Sequence, residues 1–185
     1  VGSGGNPLDG RNFGFTMSGC VIPARDDTTG LTVPTVRVNT ASDTAGVRNG
    51  IELLASEGAV IDSTQIDWPA LLGGQFTPDF VNQMPSAGNN TYQAHYYTGD
   101  VTIPTGQRRG LLVAVRDVTF TSGMHWDGII VAGGKINGGG NFAYTVHGMI
   151  ISGLNISQGD VLQVNSIRRG GSRVIRWDWC YATAS

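Results

Sequence analysis

Trp126-Asp127-Gly128-Ile129-Ile130-Val131-Ala132-Gly133-Gly134-Lys135-Ile136 is followed, 20 residues on, by Val146-His147-Gly148-Met149-Ile150-Ile151-Ser152-Gly153-Leu154-Asn155-Ile156. Glycine falls on glycine, three apolar residues fall on three apolar residues, and Ile136 falls on Ile156. A shorter relative, Gly110-Leu111-Leu112-Val113-Ala114-Val115-Arg116-Asp117-Val118, sits 18 residues before the first of these. Short apolar strands at such a spacing cannot each bury a face alone; they become stable when every copy lies on the next. The stretch therefore predicts an all-β chain in the main, a short right-handed parallel β-helix or solenoid. Its inward residues (Ile130, Val131, Ile150 and Ile151) are expected to stack as apolar ladders worth roughly 1.5–3 kcal/mol per buried large side chain.

The bulk composition agrees with strands and turns. The chain has 185 residues, enough for one domain, with 28 Gly and only 14% charged residues. A net charge of −2 gives no overall pull toward nucleic acid or a membrane surface. The charge is uneven: residues 1–100 hold 4 basic and 10 acidic side chains, residues 101–185 hold 8 and 4. All the basic residues but Lys135 are Arg, whose planar fork suits planar anions. No run of apolar residues is long enough to span a membrane, so no membrane contact is expected of residues 1–185.

Outward from the repeats, Ala94-His95-Tyr96-Tyr97 and Asp100-Val101-Thr102-Ile103 read as strands before them. Val161-Leu162-Gln163-Val164 and Arg173-Val174-Ile175-Arg176-Trp177-Asp178-Trp179 read as strands after them, the last as an aromatic-covered terminal coil. Residues 43–80 have looser apolar spacing and are expected to form an inserted α/loop segment that covers one end or side of the coils within a single 1–185 domain. In it, Asp67-Trp68-Pro69-Ala70-Leu71-Leu72-Gly73-Gly74 predicts a short helix: Asp as cap, Pro in the first turn, Gly-Gly at the exit. Near the start, Phe13, Phe15 and Met17 alternate as in a strand, and Leu31 to Val38 alternates around Pro34, which places it at an edge or splits it.

Cys20 and Cys180 lie near opposite ends and have no zinc-site spacing. They read either as two unrelated buried thiols or as one disulfide joining the ends. The disulfide would imply an oxidising compartment and, over so long a loop, about 4–5 kcal/mol in the chain-entropy model.

Several blocks together resemble the C-terminal β-helical part of bacterial type IV pilus-assembly proteins of the PilX-like, minor-pilin-associated kind. The central block is Gly128-Ile129-Ile130-Val131-Ala132-Gly133-Gly134, then Gly140-Asn141-Phe142, then His147-Gly148-Met149-Ile150-Ile151. Asp9-Gly10-Arg11-Asn12 resembles that family's early strand–turn, and Cys20 with Val33-Pro34-Thr35-Val36 its Cys and Val-Pro segment. Val174-Ile175-Arg176-Trp177-Asp178-Trp179-Cys180-Tyr181-Ala182 resembles its closing strand with the second Cys. The likeness implies a β-helical, non-enzymatic, extracytoplasmic structural or adhesive domain at the cell surface, pilus or periplasm, with pilin or other pilus subunits as partners. It implies no catalytic residues. The family begins with a pilin-like hydrophobic helix, which residues 1–185 do not contain.

Little other chemistry stands out. His125-Trp126-Asp127 is a His-x-Asp pair, and His147 aligns with Asp127 one repeat later, about 5 Å away if strands stack. One His and one Asp leave a metal short of ligands, so the expectation is a hydrogen-bonded polar ladder with no metal and no cofactor. Asp117, Asp160 and Asp178 form no close pair by alignment, and Arg116 and Arg176 beside Asp117 and Asp178 predict surface pairing. Asp26-Asp27 offers only two carboxylates for calcium, and Asn137-Gly138-Gly139-Gly140 is a turn, not a phosphate loop. Asn155-Ile156-Ser157 matches the glycosylation triplet. If the coils stack, Arg108, Arg109, Arg168, Arg169, Arg173 and Arg176 could line one side, with Trp177 and Trp179 for stacking. That arrangement would suit an anionic polymer such as DNA or an acidic surface glycan. A carbohydrate-active enzyme built on Asp127 is the remaining alternative, since many β-helix enzymes place acids on one face. The residues carried forward are a Cys20–Cys180 disulfide, the six arginines and the two tryptophans.

Overall fold

The computed structural model describes residues 66–139 and 142–160, the side chains of 156 and 157 excepted. It also gives the backbone of five short strands: β1 (Leu8–Asp9), β2 (Val36–Val38), β3 (Val47–Arg48), β4 (Ile51–Leu53) and β13 (Arg173–Arg176). Between them run β5 (Phe80–Val81), β6 (Ala94–Tyr97), β7 (Val101–Ile103), β8 (Gly106–Ala114) and β9 (Val118–Phe120). β10 (Met124–Ala132), β11 (Ile136–Asn137) and β12 (Tyr144–Ile151) follow.

The repeats are rungs of a parallel β-solenoid. β8, β10 and β12 lie side by side in one long sheet of order β3-β1-β13-β12-β10-β8-β6-β5, all of its pairs parallel. Gly110 pairs with Gly128 and Gly128 with Gly148, the register read from the sequence. A second, short sheet of order β11-β9-β7 closes the other side of each coil. Where Ile156 repeats Ile136, the chain forms a 3-10 helix, Leu154–Gln158, in place of a strand.

The glycine column has a steric cause. Gly110, Gly128 and Gly148 have φ of +132°, +141° and +138°, a region L side chains rarely enter. A β-carbon on each would run into the carbonyl oxygen of the rung before it, Gln93, Gly110 and Gly128 respectively. Only glycine lets the backbones approach there.

Strand alternation sorts the other residues into two cores. The coil interior holds Ile103, Leu112, Val118, Phe120, Met124, Trp126, Ile130, Ile136, Tyr144, Val146 and Ile150. Trp126 is enclosed and donates its indole N–H to Gly110 O at 3.1 Å. Val131 and Ile151, expected inside, belong instead to the outer face: neighbours along a strand point to opposite sides, so Ile130 and Val131 cannot both face the coil axis. They are buried all the same, in a second cluster with Trp68, Val113 and Leu154.

The cover is the predicted helix. Asp67 caps it by accepting from Ala70 N at 3.0 Å, and Trp68–Ala70 forms the helix α1. A wider π turn, Leu71–Gln75, extends it and ends at Gly74 with φ 91°. Ile66, Leu71, Leu72 and Phe76 pack against the second buried cluster, as do Leu111, Ile129 and Met149 of the sheet. The fully buried Trp68 donates to Asn155 Oδ1 at 2.8 Å, and Asn155 Nδ2 donates to Val115 O at 2.8 Å, so one amide ties α1 to the coil turns. The non-solenoid stretch expected over 43–80 holds strand as well, since β3 pairs with β1 and β4 with β2, both in parallel.

Turns repeat with the rungs. Asp100 Oδ1 accepts from Asp117 N, and Asp117 Oδ1 accepts from Lys135 N, both at 3.0 Å, so each carboxylate caps the same turn one coil on. Among the described residues no helix is long and apolar enough to cross a membrane.

Candidate functional site

The outer face of the long sheet divides across its width. The columns Leu111–Ile129–Met149 and Val113–Val131–Ile151 belong to the apolar cluster that includes Trp68 of α1, whereas the two columns before them in the strands are polar: Arg109–Asp127–His147 and Gln107–His125–Thr145. The cluster lies in the polar half. Asp127 and His147 are register partners on adjacent strands, and His125 shares a face with Asp127 because it lies two residues earlier in the same strand.

Three donors converge on the Asp127 carboxylate. His125 Nε2 lies 2.8 Å and His147 Nδ1 3.2 Å from the same oxygen, Oδ1, while Gln107 Nε2 donates to Oδ2 at 2.9 Å. The two imidazoles meet edge to face, 4.8 Å between ring centres and 90° apart. The Asp127 side chain is 1% exposed, against 31% for His125 and 16% for His147. Burial is the largest single influence on Asp127 and pushes its pKa up. The hydrogen bonds from His125, His147 and Gln107 together outweigh it and hold the carboxyl well below the usual carboxylate range. The group is thus an ionised carboxylate below the surface, reached from solvent past the two rings.

The sequence paired His147 with Asp127 and counted two ligand-type groups. The structure brings in His125 as a third, so the shortage of ligands does not hold. The signal was present: residues i and i+2 of a strand share a face, as residues one rung apart do.

The arginines separate. Arg108 stands in the inward register position beside Trp126 and is 7% exposed. Its Nε donates to Pro85 O at 2.8 Å, and its Nη1 to the carbonyls of Pro104, Thr105 and Gly106 at 2.8–3.2 Å. Such a guanidinium serves the fold and is removed from the anion-binding set, because buried polar groups must be paired within the protein. Arg109 stays on the outer face, with Nη1 on Asn90 O at 3.0 Å. Arg176 takes the register position beside His147, so Arg109, Asp127, His147 and Arg176 occupy one column; Arg173 pairs in register with Tyr144. Arg168, Arg169, Trp177, Trp179, Cys20, Cys180 and Asp26-Asp27 lie outside the described residues, so the proposed disulfide and stacking pair do too. Arg116 pairs with Asp160 at 3.8 Å, and Asp117 with Lys135 at 3.7 Å rather than with its neighbour Arg116.

The first rungs hold a second polar group that sequence reasoning passed over. His95 is buried, stacks on Phe80 at 5.2 Å, and turns Nδ1 to Gln83 O at 2.8 Å. A carbonyl only accepts, so Nδ1 carries the proton and Nε2, buried without a partner, is the bare nitrogen. The Tyr97 hydroxyl is likewise buried and unpartnered. Burial pushes its pKa up to about 12 against the opposing pull of Arg108.

Compared with known proteins, the chain matches no family model, no curated protein and no solved structure.

Proposed function

We propose that this chain is an extracytoplasmic, non-enzymatic structural or adhesive module of a type IV pilus system, with pilin or other pilus subunits as its partners. The observation that supports the reading most is the pairing of Gly128 with Gly148. The two Gly-led strands that carry the likeness to PilX-like proteins are adjacent rungs of one solenoid, as that family's β-helical part requires. A parallel solenoid presents a repetitive outer surface on stacked rungs, and such a surface can serve docking. Asp127 is poorly suited to the role of general acid, because three donors bind its carboxylate and favour the ionised form.

Fractionation of the source cells tests the proposal. The chain should be recovered outside the cytoplasm and with sheared pili, and a strain lacking it should assemble fewer filaments or adhere less. Recovery in the cytoplasm, unaffected by loss of the pili, would contradict it.

A further inference from the structure

We propose that His125, Asp127 and His147 form a binding site for one divalent first-row transition-metal ion on the outer face of the long sheet. The inference is independent of the pilus reading, since it rests on three side chains and the register that brings them together.

Chemistry of the donor set comes first. Two imidazoles and one carboxylate are the ligands that zinc and ferrous iron take in three-ligand sites, leaving further positions to water. The three ligand atoms here all lie within 4.8 Å of one another. His125 Nε2 and His147 Nδ1 are 2.8 and 3.2 Å from Asp127 Oδ1. Ligands held at about 2.1 Å from a tetrahedral or octahedral ion are about 3–3.5 Å apart, so the 3.2 Å edge already has that size and the 2.8 Å edge is slightly short of it. Closing the third needs a modest turn of the His125 or His147 ring, both of which are partly open to solvent.

The surroundings then point the same way. Asp127 brings a negative charge into a site where it is 1% exposed. The two rings answer it with hydrogen bonds, whereas a bound divalent cation brings two positive charges. Gln107 Nε2 binds the other carboxylate oxygen at 2.9 Å, fixing the plane of the carboxylate with Oδ1 toward the rings. That is the part an outer-shell partner plays in metal sites. On binding, each ring carries its proton on the nitrogen away from the metal, the ordinary tautomer of a ligating histidine.

The frame is also suitable. All four side chains project from strands β8, β10 and β12, with the glycine column next to Asp127 and His147 setting how closely the strands approach. A site on rigid rungs holds ligand positions better than one on loops.

Equilibrium dialysis of the whole chain against zinc chloride, with metal content measured afterwards, tests the proposal. The wild type should retain about one equivalent, and cobalt in its place should give the visible absorption of a low-coordinate site. His125→Gln and His147→Gln should each weaken retention at least tenfold while keeping the wild-type circular dichroism, because both rings lie on the outer face. Gln107→Ala should weaken it as well, by about ten- to a hundredfold. Failure of the wild type to retain zinc would overturn the site. So would zinc held equally well by His125→Gln and His147→Gln, which would place it elsewhere in the chain.

Discussion

Gly148 shows how tightly single residues are constrained. Its φ of +138° and the carbonyl of Gly128 against it exclude a side chain. Gly148→Ala should therefore destabilise by about 1–3 kcal/mol from backbone strain alone. Urea unfolding measures this, and a change under half a kcal/mol would mean that the rungs do not approach as described. His95 sets a pH dependence. Burial lowers its pKa below the usual value near 6.5, against weaker opposing influences from Gln83 and Asp79. The unfolded chain then binds the proton more readily, so the stability present above about pH 6.5 is lost as pH falls toward the folded-state value. Urea midpoints should fall between pH 7.5 and 5.5, and this part of the fall should vanish in His95→Phe. An equal fall in that variant would assign the effect to other groups. The glycine repeat was legible because it is a steric necessity with one answer. His95 was not, because nothing in the sequence says which alternate positions of Ala94–Tyr97 face inward.

At the scale of elements, α1 and the sheet face it covers depend on each other. A three-residue helix with a π extension has no stability of its own in water, so its place is set by Trp68. Trp68→Ala should cost about 3–5 kcal/mol through lost burial. Asn155→Ala should cost about 1–3 kcal/mol, since the Trp68 indole N–H and Val115 O each lose their partner. Thermal or urea melts of both variants and the double mutant check this. Strictly additive losses would mean that the two side chains are not coupled. The helix itself was legible from Asp67, Pro69 and Gly73-Gly74. Its docking face was not: the run Ile129-Ile130-Val131 announces two buried faces, and the sequence reading assigned both Ile130 and Val131 to one. The glycosylation triplet at Asn155, a pattern common by chance, falls on a residue whose amide is engaged within the fold.

For the whole molecule, the register of the long sheet decides everything else. It places Ile130 on Ile150 inside, Val131 on Ile151 in the cluster with Trp68, and Asp127 beside His147 with His125 on the same face. The solenoid was legible because a repeat in sequence becomes a repeat in space. The metal-ligand set was legible only in part: the His125-x-Asp127 pair along the strand and the His147 alignment across rungs were both in view, but they were not added into one group of three. Interstrand nuclear Overhauser effects between β10 and β12 in the labelled chain test this most directly. The account predicts contacts linking residues at a constant offset, Trp126 with Val146, Asp127 with His147 and Ile130 with Ile150. Contacts whose residue numbers instead sum to a constant, the pattern of antiparallel strands, would contradict it and remove the proposed metal site as well.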